Sequence, residues 1–181
     1  MEPVEFRRRL HAHPELSFKE HDTAAFIADR LTELGIEHRP IARTGVLAWI
    51  EGRGKADPKR RAVVLRADID ALPITEQNDI GWRSCTPGVM HACGHDAHAA
   101  CLLGASKILS ENRDAFSGKV RLVFQPGGEI GKGAKPFVAA GVLDGAVLDE
   151  GDVAGAFLQI RGDVRGEEDA ARPVRRDAPQ Q

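Results

Sequence analysis

The run Gly88-Val89-Met90-His91-Ala92-Cys93-Gly94-His95-Asp96-Ala97-His98 concentrates the ligand-type side chains of this chain. Three of the seven histidines and one of the three cysteines fall within it. Imidazole, thiolate and carboxylate at that density form a donor set for zinc, and equally for manganese or another first-row ion. Cys93 and His95 are two residues apart, so one helix face cannot hold both. They converge if Cys93-Gly94-His95 is a turn feeding a helix, and Gly94 permits the torsions such a turn needs. A helix N-terminus there is also expected to lower the thiol pKa and favour thiolate, the form that binds metal. The rival reading, a buried cysteine beside helix-surface histidines, leaves unexplained why His91, Cys93, His95 and His98 gather around one turn-forming glycine.

Two further sets of carboxylates join this run as candidates. Asp68 and Asp70 follow an apolar stretch in Leu65-Arg66-Ala67-Asp68-Ile69-Asp70-Ala71-Leu72-Pro73. A carboxylate at a strand end can bind metal or orient a ligand histidine; the alternative is a loop residue capping a turn. Function is favoured for Asp68, and Asp70 stays open between the two. Glu129, after Phe124-Gln125-Pro126-Gly127-Gly128, is a candidate ligand or general base, a weak signal on its own. His11 and His13 beside Pro14 are read as surface-loop residues, Cys101 as a core residue of a helix, and Cys85 as a loop thiol. A cysteine hydrolase built on Cys93 and His95 is disfavoured, because residues two apart rarely present a base to a nucleophile and no oxyanion hole is identifiable.

The elements that must position these groups alternate between helix and strand. Residues 3–11 read as a short helix ended by Pro14. Residues 21–34 carry Ala24, Ala25, Ile27, Ala28, Leu31 and Leu34 near helical spacing, with Gly35 at the stop. Residues 36–41, 45–51 and 61–67 read as strands, the last a continuous apolar run of the kind covered on both faces. Residues 68–87 are loop-like, and 97–109 form the strongest helix. Another strand covers 119–126, a short helix 134–140, and a last strand 153–160. The expected class is a layered α/β domain, whose loops after the strand ends carry the site. Asp68, the His/Cys run and Glu129 all fall on such loops. From Arg161 the chain is charged and has little to bury, so 161–181 read as a disordered tail.

Composition narrows the function classes. At 181 residues the chain suits one well-buried domain, and its 42% hydrophobic and 29% charged residues are ordinary for a globular protein. A net charge of −2 offers no nucleic-acid footprint or polybasic membrane patch. No apolar run is long enough to span a bilayer, and the N-terminus lacks the apolar core of a signal peptide. Three cysteines cannot all pair within the chain, so a reducing cytoplasm is expected.

Together these segments resemble the dinuclear-metal amidohydrolases of the aminoacylase-like metallopeptidases. The branch is that of hippurate hydrolase, N-acyl-amino-acid amidohydrolases and auxin-conjugate hydrolases. The motifs are Arg8-Arg9-Leu10-His11-Ala12-His13-Pro14-Glu15-Leu16, Arg66-Ala67-Asp68-Ile69-Asp70-Ala71-Leu72-Pro73, Met90-His91-Ala92-Cys93-Gly94-His95-Asp96, and Val123-Phe124-Gln125-Pro126 with Gly133-Ala134-Lys135. The likeness runs from about residue 6 to about residue 157. It implies a layered helix–sheet–helix (phosphorylase/hydrolase-like) catalytic domain and two divalent ions, zinc or manganese. Cys93, His95 and Glu129 would be metal ligands, and Asp68 would support the site; Asp68 and Glu129 are the candidate catalytic residues. In such sites two ions activate a water and polarise the scissile amide, while a glutamate carries the proton to the leaving amine. The implied partner is a small N-acyl amino acid or peptide-like substrate, with no nucleic acid and no membrane.

Three departures from the pattern shape the expectation. The family has Ala-Glu-Glu after Gln-Pro, the first glutamate being the base; here the run is Gly127-Gly128-Glu129, so Gly128 stands at the base position. No histidine occurs near Phe157-Leu158-Gln159-Ile160, where the family places another ligand. The family's dimerisation domain and final ligand histidine have no counterpart, which leaves the oligomeric state open. Residues 1–160 are therefore expected to be the N-terminal part of the catalytic domain of a truncated or frame-shifted amidohydrolase, impaired in activity. The rival is a catalytically inactive, degenerate domain that keeps only metal or partner binding.

Overall fold

A computed structural model describes residues 2–55 and 62–146. The expected strand at 153–160 and the expected tail lie outside the described residues. The elements run α1 (Pro3–Ala12), α2 (His21–Glu33), β1 (Glu37–Ile41), β2 (Gly45–Arg53), β3 (Val63–Asp68), α3 (His95–Glu111), a 3-10 turn (Arg113–Ala115), β4 (Ser117–Gln125) and α4 (Ala134–Ala139). The four strands form one sheet in the order β1-β2-β4-β3. β1 and β2 are an antiparallel hairpin, β2 pairs antiparallel with β4, and β3 pairs parallel with β4.

Period-two alternation sorts the strands' side chains between two faces. Val46, Ala48 and Ile50 of β2, with Val120, Leu122 and Phe124 of β4, join Leu10, Ile27, Leu31, Ala99 and Leu103 from α1, α2 and α3. Leu47, Val64 and Val123 face the other way and are covered by Phe137 of α4 and by Val142. The fold is thus α/β with helices on both faces of the sheet, as expected. Each such large aliphatic or aromatic side chain, once buried, contributes about 1.5–3 kcal/mol. β3 is a lateral edge among the described residues, yet both its faces are covered, as read: Val64 joins the cluster of Val123 and Phe137, and Ala67 with Leu65 joins the opposite one, while only Val63 at its start is 46% exposed.

The long segment between β3 and α3 has little secondary structure of its own, as expected. Backbone bonds fix it: Leu72 and Met90 exchange N–H···O bonds of 3.0 Å, and the Ala71 and Cys85 amides donate to the Glu15 and Ala12 carbonyls. Among the described residues no helix is long and apolar enough to cross a membrane.

Candidate metal centre

β3, α3 and β4 form one β-α-β unit, and this topology builds the site. In the parallel β3–β4 register Asp68 lies opposite Gln125, so both strands end side by side. The crossover helix starts at that same edge. α3 begins at His95, two residues before the expected start, because Gly94 at its N-cap takes a left-handed φ of +87°. That torsion folds Cys93 back beside the first helical turn. The loop after β4 turns at Gly127, whose amide donates to buried Glu20 Oε1 at 3.0 Å. Glu20 Oε2 also accepts from Thr44 Oγ1 in the β1–β2 turn, at 2.5 Å.

Cys93, His95 and Glu129 present one donor atom each within 4.8 Å of one another. His95 Nδ1 donates to the Asp70 carbonyl at 2.9 Å and to Asp70 Oδ1 at 3.1 Å. A carbonyl only accepts, so Nδ1 carries the proton and Nε2 keeps the lone pair a metal would use. Nε2 faces Glu129 Oε1 at 3.7 Å. Glu129 Oε1 is buried and accepts no hydrogen bond from the described residues. A buried carboxylate oxygen without a donor is costly unless a cation or water satisfies it. A thiol, an oriented imidazole and an unsatisfied carboxylate therefore fit a divalent ion such as zinc.

Asp70 holds this arrangement together. Its Oδ2 accepts from Ser17 Oγ at 2.6 Å and from the Glu129 amide at 3.0 Å, while Oδ1 holds His95. Burial alone would push its carboxyl up, but the hydrogen bonds from His95, Ser17 and Glu129 hold it below the usual carboxylate range. Burial would likewise lower His95, but the Asp70 bond and the Asp68 charge raise it. Asp68 itself is raised by burial, which outweighs the attraction of Arg66 and His95. The Cys93 thiol is also raised, by desolvation and then by the Glu129, Asp68 and Asp70 carboxylates. This reverses the expected lowering by the helix terminus: Cys93 precedes the first helical turn and sees three acids at close range. A bound dication would invert the balance and favour thiolate.

A second donor group is Asp68, His95 and His98, again with one atom each within 4.8 Å. His98 lies one turn along α3 from His95, with ring centroids 5.6 Å apart. His91 belongs to neither group. It is 4% exposed, its ring nitrogens find no partner among the described residues, and burial lowers its pKa to about 4.

His11 is not a surface residue. It is 3% exposed, with Nδ1 at 2.8 Å from Asp96 Oδ2 and Nε2 at 3.1 Å from Glu76 Oε1, against the Trp82 ring. It ties α1 to the first turn of α3, through partners 85 and 65 residues away that no local pattern reveals. His13 is exposed, as read. Cys101 is exposed rather than core, because α3 buries Ala99, Ala100, Leu102 and Leu103 and turns position 101 outward. Cys85 is an exposed loop thiol.

Comparison with known proteins identifies the family. The family model described as "Peptidase family M20/M25/M40" matches residues 64–172, and the chain belongs to that family. It is 50% identical over 143 residues to an N-acetyl-L-cysteine deacetylase of Bacillus subtilis (strain 168), covering 78% of this chain and 33% of the relative. An N-acyl-L-amino acid amidohydrolase of Geobacillus stearothermophilus is 47% identical over 144 residues, covering 78% of this chain and 38% of its own length. Among solved structures, a Bacillus subtilis protein described as a dinuclear metal binding peptidase from the M20 family superposes with a TM-score of 0.74 at 44% identity, over 80% of this chain and 40% of that one. The chain thus spans a third to two fifths of the length of these proteins.

Proposed function

We propose that this chain carries the centre of a metal-dependent amidohydrolase acting on N-acyl amino acids or similar small amides, with lowered activity. The observation that carries the reading is the convergence of Cys93, His95 and Glu129 donor atoms within 4.8 Å. The relatives' names, an N-acetyl-L-cysteine deacetylase and an N-acyl-L-amino acid amidohydrolase, point to the same substrate class. Cys93, His95 and Glu129 would hold the ion, zinc or manganese, and Asp68 would support them. The ion supplies Lewis acidity, which lowers the pKa of water and polarises an amide carbonyl. The chain's own part is orientation: Asp70 fixes His95 Nδ1, Ser17 and the Glu129 amide fix Asp70, and Nε2 is left free for the ion.

Proton transfer is where the chain falls short. Moving a proton from water to the leaving amine needs a positioned carboxylate, worth about 10²–10⁴-fold. Gly128 offers none, and Glu129 is committed as a ligand. This favours, as the second reading, a domain that keeps metal binding without turnover. The domain reading of residues 1–160 as catalytic and 161–181 as a tail stands with the first.

The experiment is hydrolysis of N-acetyl and N-benzoyl amino acids by the full chain with added zinc or manganese. The expected result is slow release of free amino acid, abolished by chelator and by Cys93→Ala. Release no greater than from metal alone would contradict the first reading in favour of the second.

A further inference from the structure

Asp68 closes β3 with its side chain 12% exposed, held by two neighbours on one oxygen. Oδ1 accepts from Arg66 Nη2 at 2.5 Å and from Gln125 Nε2 at 3.3 Å. Arg66 Nε in turn donates to Gln125 Oε1 at 2.8 Å, so the three side chains form a closed ring. Oδ2 accepts no hydrogen bond from the described residues. A carboxylate braced on one oxygen and free on the other is the arrangement that metal-ligating carboxylates adopt. A carboxylate oxygen of Asp68 belongs to the donor group with His95 and His98.

Gly128 lies directly against this carboxylate. A Cβ at position 128 would meet Asp68 Oδ1 well inside contact distance, Asp68 Cγ at 2.7 Å and Asp70 Oδ1 at 3.2 Å. The space admits either the Asp68 carboxylate in its present place or a side chain at 128. We infer that Asp68 is a metal ligand of this chain, occupying the room that a side chain at position 128 would fill. The inference rests on the metal-centre reading above. His95 has one free lone pair, so Asp68 and His98 serve the ion that His95 holds. The bland alternative is that Asp68 only neutralises Arg66.

The test is titration of Co²⁺ into the reduced 181-residue chain, followed by visible absorption, with thermal melts of the metal-free variants. Wild type, Asp68→Asn, Gly128→Ala and the double variant are compared. Gly128 does not have a left-handed φ, so alanine there adds bulk without backbone strain. Each single change is expected to weaken cobalt binding by ~10-fold or more. The double variant is expected to bind no more weakly than Asp68→Asn, because the added methyl acts chiefly by displacing Asp68, its nearest neighbour, and presses less on Asp70 Oδ1 at 3.2 Å. Unchanged affinity in both single variants would overturn the inference while leaving the metal centre intact, and independent, multiplying losses would overturn the exchange of space. If Asp68→Asn does not fold, Asp68→Glu, which keeps the charge beside Arg66 and moves the donor oxygen, takes its place in the comparison. No cobalt spectrum in wild type would instead remove the metal centre itself.

Discussion

Asp70 accepts from three segments far apart in sequence: Ser17 after α1, His95 at the start of α3, and the Glu129 amide after β4. The sequence left Asp70 open and favoured Asp68, because a strand-end carboxylate is recognisable while its donors are 53, 25 and 59 residues away. Asp70→Asn keeps the volume but presents an amide N–H₂ where one oxygen now accepts. It either turns N–H₂ against the Glu129 amide, which can only donate, or leaves His95 Nδ1 held by the carbonyl alone. Metal affinity is expected to fall about 10–100-fold, measured by competition with a chromophoric chelator. Affinity equal to wild type would show that the backbone carbonyl suffices to orient His95. Cys93 and His95 were legible because such donors are rare in the chain and a glycine marked their turn, whereas Glu129, one of 27 acidic residues, stood out only through the family resemblance. His11 was not, because its burial depends on Asp96 and Glu76 from other segments.

At the scale of elements, helical spacing in α2, the alanine-rich α3 and the apolar runs of β2 and β4 were all readable. Their termini were less so. α3 was expected from Ala97, because His95 and Asp96 look polar and loop-like, yet Gly94 starts the helix at His95 and buries both. Strand order was not readable: β4 inserts between β2 and β3, a non-sequential pairing that no local pattern marks. The Gly94 turn carries a test of its own. A Cβ there meets nothing within 4 Å, so Gly94→Ala is limited by torsion and not by space. A left-handed alanine costs roughly 1–2 kcal/mol, and a lower melting temperature in the metal-free chain is expected. A melt identical to wild type would mean that the turn relaxes and that Cys93 is not held by it.

For the whole molecule, one β-α-β unit with its flanking loops brings all the donor groups to a single edge of the sheet. Residues described up to 146 are enough to assemble two overlapping donor groups around His95. The chain spans 33% and 38% of the length of two relatives. The family was legible because its motifs lie on the segments that make the edge. The exchange between Gly128 and Asp68 was only half legible: the missing side chain shows in the sequence, but the neighbour that fills its room is 60 residues earlier and becomes visible only in three dimensions. The most direct measurement is metal stoichiometry of the purified chain by native mass spectrometry, beside Cys93→Ala. At least one zinc or manganese ion per chain, lost in the variant, is the expected result. A chain that binds no ion, or binds it equally well without the Cys93 thiol, would contradict a metal centre built on Cys93, His95 and Glu129.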